Sequence, residues 1–119
     1  MFLLLLAAAV LMAAPADLSG TWTFSVDLEG GGHGDPTFVL KQERANLTGT
    51  YSGPMGEQKV TGTVNDKQAT FGFEFEPDGE KVQADYTATI DSPTTMHGTI
   101  EFKSSSGNGA SGKWTATKK

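Results

Sequence analysis

From Asp17 onward the chain carries ten aromatic residues, and all ten fall on one side of a period-two alternation. They are Trp22, Phe24, Phe38, Tyr51, Phe71, Phe73, Phe75, Tyr86, Phe102 and Trp114, and the facing positions are mostly Thr, Ser, Lys, Asp and Glu. Alternation at this period marks strands with one buried face and one wet face. A sheet with a single apolar face must bury it, either on a second sheet or by curling until its edges meet.

Turn residues cut the sequence after residue 16 into eight runs: 19–28, 37–43, 47–53, 58–64, 69–76, 82–90, 95–103 and 112–117. Expected turns include Ala45-Asn46, Pro54-Met55-Gly56, Asn65-Asp66 and Asp91-Ser92-Pro93. Short connections make sequential strands antiparallel neighbours. Only Glu29–Pro36 and Ser104–Ser111 are long enough for a crossover, so the expected fold is all-β: an eight-stranded antiparallel up-and-down β-barrel. Nothing shows helical spacing over ten residues.

Gly-Thr before a large apolar residue recurs at Gly20, Gly49, Gly62 and Gly98, with a near copy at Gly112. Each of these glycines has inward parity. Glycine weakens a strand, so recurrence implies tight curvature in a closed barrel. The same glycines remove side chains from the interior and so tilt the expectation toward internal space. On the outward face Val39 is the single large apolar residue.

Residues 1–16 read as a secretory signal peptide, with the apolar run Phe2–Val10 and the small residues Ala14-Pro15-Ala16 before Asp17. The basic n-region is missing, and the rival reading is an uncleaved anchor. Residues 17–119 then form one domain, expected to be secreted or periplasmic. With no cysteine, disulfides and leader-cysteine lipidation are excluded. The net charge of −5 argues against nucleic acid and against anionic membrane surfaces as partners.

Leu18-Ser19-Gly20-Thr21-Trp22 resembles the first-strand signature of the calycin superfamily. Leu47–Tyr51 followed by Val60–Val64 is similar to the avidin and streptavidin branch in order and spacing. The lipocalin branch shares the Gly-x-Trp but carries a terminal helix not visible here. Small secreted bacterial barrels of unassigned role are a third kin. The resemblance implies an eight-stranded barrel taking a small ligand at its open end. It matches Tyr51 to the tyrosine that hydrogen-bonds the biotin ureido oxygen. Other biotin positions depart: Phe24 replaces an asparagine, Gly53 replaces a serine, and the last strand has no aspartate.

Catalytic and metal chemistry has little support. His33 and Asp35 sit in a glycine-rich loop, and His97 is the only other histidine, short of the three or four ligands of a zinc site. Glu74 and Glu76 share a wet strand face, with Asp78 and Glu80 extending an acidic cluster. Asn46-Leu47-Thr48 is a glycosylation sequon only in a eukaryotic secretory pathway. The expectation is therefore a protein that is not an enzyme and needs no cofactor or metal. Phe71, Phe73, Phe75, Trp22 and Trp114 would supply affinity for a small apolar or aromatic ligand, with Tyr51, Tyr86 and the indole N–H groups orienting it. The alternative is a filled barrel acting as a structural or interaction module through its loops.

Overall fold

The computed structural model describes residues 17–119, except Asn108 and the side chain of Asp78. The leader assigned to residues 1–16 lies outside the described residues. Nine strands follow one another: β1 Gly20–Leu28, β2 His33–Gly34, β3 Thr37–Glu43, β4 Asn46–Gly53, β5 Gly56–Asn65, β6 Gln68–Phe75, β7 Val82–Ser92, β8 Thr95–Ser104 and β9 Gly109–Lys118. A short 3₁₀ turn, Pro77–Gly79, lies between β6 and β7.

The eight long strands pair in sequence order, and β1 also pairs with β9, from Trp22↔Lys118 to Leu28↔Gly112. Every pairing is antiparallel. The result is a closed up-and-down barrel with β2 as an extra strand. Closure satisfies both edge strands, which would otherwise template aggregation.

The two ends differ. One is built from tight turns at residues 44–45, 66–67 and 93–94. The first two sit one residue away from the expected Ala45-Asn46 and Asn65-Asp66. Arg44 and Asp66 occupy the left-handed region at φ 59° and 60°, as hairpin turns require. Asparagine's turn preference points to Asn46 and Asn65, whereas strand pairing places the positive φ two residues before the first and one after the second. The other end carries the connections 29–32, 35–36, 54–55, 76–81 and 105–108, three of them longer than two residues. The last is shorter than the expected Ser104–Ser111 loop, because β8 and β9 continue pairing to Lys103↔Gly109.

The rings fill the barrel. Phe24 lies 4.3 Å from Phe38 and 4.7 Å from Trp114 between ring centroids. Phe71 stacks on Tyr86 at 5.4 Å and 9°. Aliphatic side chains such as Leu40, Leu47, Val60, Met96 and Ile100 complete the packing. Phe75 and Phe102 are half-buried, packed against this core. Val39 stands exposed on the outer face.

The N-terminal segment seals the tight-turn end. Leu18 is fully buried, its N–H donates to Gln42 Oε1 at 2.9 Å, and its carbonyl accepts the Trp22 indole N–H at 2.9 Å. Lys118 Nζ stands 5.8 Å over the Trp22 ring, within cation–π range.

The inward glycines do not open the interior. A Cβ on Gly98 would overlap the Thr87 carbonyl oxygen, and Gly49, Gly62 and Gly112 face the Val39, Thr70 and Asp27 carbonyls in the same way. Curvature brings adjacent backbones together there, leaving no room for a side chain. Gly98→Ala is therefore expected to lower unfolding stability by about 1–3 kcal/mol through overpacking, measured by urea denaturation. An unchanged or raised midpoint would mean that Gly98 borders free space after all.

Candidate functional site

The seam between β1 and β3 is short. β1 pairs with β3 only over Gly20–Thr23. Toward the loop end, Phe24 N–H donates to the Pro36 carbonyl at 2.9 Å, and Val26 and Asp27 pair with Gly34 and His33 of β2. Leu28 N–H donates to the Gly32 carbonyl at 2.9 Å. Residues 29–36 thus double back along β1 as a flap. Glycine allows this path: Gly30 and Gly31 have φ of 91° and 96°, which other residues rarely adopt.

Beneath the flap is a cavity of about 170 Å³. Strand residues Val26, Leu28, Ile100 and Phe102 wall it, with Pro36, Pro54 and Met55 from the connections and Tyr51 and Tyr86 from the barrel interior. Its volume is close to the roughly 150 Å³ of an apolar cavity that holds benzene. It is smaller than the roughly 300–1,000 Å³ of most drug-sized pockets.

The structure divides the sequence-selected residues into groups. Tyr51 and Tyr86 line the cavity. Phe71, Phe73 and Trp114 are buried in the ring cluster. Phe75 is half-buried beside Phe73 at 5.9 Å. Trp22 lies away from both, at the end closed by Leu18. Neither indole N–H is free to orient a ligand, since Trp114 Nε1 donates to the Thr99 carbonyl at 2.9 Å and Trp22 Nε1 to Leu18. Val26, Leu28, Pro36, Met55 and Ile100 were not among the expected site residues. Their parity or loop position made them look like ordinary core and turn.

Burial raises both phenols above the ordinary tyrosine value. For Tyr51 the nearby Met55 backbone N–H partly offsets this. For Tyr86 burial dominates and the neighbouring Tyr51 adds to it.

The ionisable groups at the cavity edge and beyond it pair on the surface. His33 Nδ1 lies 2.7 Å from Asp27 Oδ1, and Nε2 lies 2.9 Å from Asp35 Oδ1. Two carboxylate acceptors are both satisfied only when both ring nitrogens carry protons. His97 is held separately by Asp91 at 2.7 Å. Glu80 accepts from the Ser106 hydroxyl at 2.5 Å, tying two loops together. Among the described residues no group of three or more His, Asp or Glu could hold a metal ion.

No family model and no curated protein matches this chain. Solved structures do resemble it. EF1p2_mFAP2b, bound to DFHBI, aligns with a TM-score of 0.60 and 19% identity over 86% of this chain and 93% of that one. The redesigned β-barrel mFAP1, also bound to DFHBI, gives 0.53 and 21% over 86% and 94%. A de novo designed fluorescence-activating β-barrel gives 0.53 and 21% over 85% and 93%. At these identities the likeness establishes the shared barrel fold.

Asp27, then Asp35, hold the His33 pKa above its ordinary value. A raised folded-state pKa means the bridge contributes fully below the unfolded value of about 6.5. The contribution is lost as pH rises through the folded-state midpoint. An NMR titration should place the His33 midpoint above 6.5 and bring it down in Asp27→Asn. A wild-type midpoint at or below 6.5 would show that the bridge does not form in solution.

Proposed function

We propose that this protein is a secreted, non-enzymatic barrel that binds a small apolar or aromatic molecule at its loop end. The observation that carries the reading is the apolar, ring-sized cavity under the 29–36 flap, with two phenol side chains in its lining. A concave apolar site with a few polar groups is the usual form of a small-molecule site. Two of the similar barrels hold DFHBI, a precedent for small-molecule binding by this architecture. The apolar run Phe2–Val10 and the small residues before Asp17 support secretion.

In this reading Val26, Leu28, Ile100 and Phe102 clasp the ligand while Tyr51 and Tyr86 orient it. Phe71, Phe73 and Trp114 form a rigid base, Phe75 supports the half-buried rim, and Trp22 braces the opposite end. One observation favours the rival reading, a module acting through its loops: most of the barrel is filled by mutually packed rings.

Cumene, a single ring with a branched apolar tail, separates the two. In a ¹H–¹⁵N NMR titration it should give saturable shifts clustered at Val26, Leu28, Met55 and Phe102. Leu28→Trp, which places an indole in the mouth, should weaken it at least about tenfold, equal to about 1.4 kcal/mol. Spectra unmoved by cumene in the folded wild type would reject the pocket and leave the loop-mediated role.

A further inference from the structure

Of the two phenols in the cavity, Tyr86 is the one that burial shifts most. Tyr86 is only 2% exposed, yet among the described residues no protein group hydrogen-bonds its hydroxyl. Its oxygen is also not sealed within the protein, and Tyr86 lines the cavity, so the hydroxyl opens into that space. Both interior indoles are engaged, Trp22 with Leu18 and Trp114 with Thr99. A hydroxyl with no protein partner at a cavity wall bonds to water there, and a ligand acceptor can take that water's place.

We propose that the Tyr86 hydroxyl is the polar anchor of the site, and that the molecule bound is a neutral single-ring compound with a carbonyl-type hydrogen-bond acceptor at its buried end. This rests on the binding reading above and goes beyond it by naming the ligand class. The volume, about 170 Å³, sets the size at one ring. Burial keeps the Tyr86 phenol protonated well beyond neutral pH, so its O–H is available to donate to a ligand carbonyl. Neutrality follows from the surroundings. Among the described residues no lysine or arginine lines the cavity, and the one imidazole at its edge, His33, is already shared by Asp27 and Asp35. An anion there would be desolvated without a counter-charge.

Acetophenone and cumene test this as a pair, because they differ by an oxygen in place of a methyl on the same skeleton. Tyr86→Phe keeps the ring that stacks on Phe71 and removes only the hydroxyl. Acetophenone should weaken about 2- to 10-fold in Tyr86→Phe, while cumene binds as well or better. A ratio of the two dissociation constants that is the same in wild type and variant would overturn the assignment. A second measurement needs no variant: the infrared carbonyl stretch of acetophenone bound to wild type should lie below its position in hexane. A band at the hexane position would overturn the proposal equally. Cumene binding with an unchanged ratio removes only the role of Tyr86, whereas binding of neither probe removes the site itself.

Discussion

A single continuous sheet with one apolar face has nothing to lie against except itself. Every other feature of this molecule follows from that constraint. The pairing of β1 with β9 converts an open ribbon into a closed surface, and the aromatic side chains become both the filling and the reason for closure. Large rings in a narrow barrel force sharp curvature, and sharp curvature brings neighbouring backbones together. The glycines of β4, β5, β8 and β9 are the answer to that approach. Ring volume and glycine placement are therefore two halves of one solution, and neither is tolerable without the other.

Much of this was legible before any coordinates, because strand parity is a strong local signal. Trp22, Phe38, Tyr51 and Tyr86 share a parity with their neighbours in the sheet, and burial of all four follows from it. The eight long strands were legible for the same reason, with ends blurred by up to three residues, most at the start of β9. Arg44 shows the limit: nothing in its side chain favours a positive φ, and only the closing pair Glu43↔Asn46 places it there. The glycines were recognised as markers of curvature, but their effect on space was misjudged. A missing side chain leaves a void only if no other atoms move in, and here a carbonyl does.

The site was far less legible. Parity puts Tyr86 and Phe71 on the same face and cannot tell which of them meets a cavity. That distinction depends on where β1 leaves β3, which is set by the course of residues 29–36. A two-residue strand inside a glycine-rich loop carries no periodicity to detect. Its formation depends on the free edge of β1 and on the hydrogen bond from Phe24 to Pro36, both of which are long-range consequences of closure. The pairing of His33 with Asp27 arises the same way, since the two residues meet only once the flap has folded back.

The plug at Leu18 has a consequence for traffic. With the tight-turn end shut by a buried leucine and the middle occupied by packed rings, the barrel is a blind well and not a conduit. On the binding reading proposed above, a ligand would enter and leave at the loop end, where the cavity lies. On that reading, access would depend on the connections around residues 29–36 and 54–55, and grip on the strand residues beneath them.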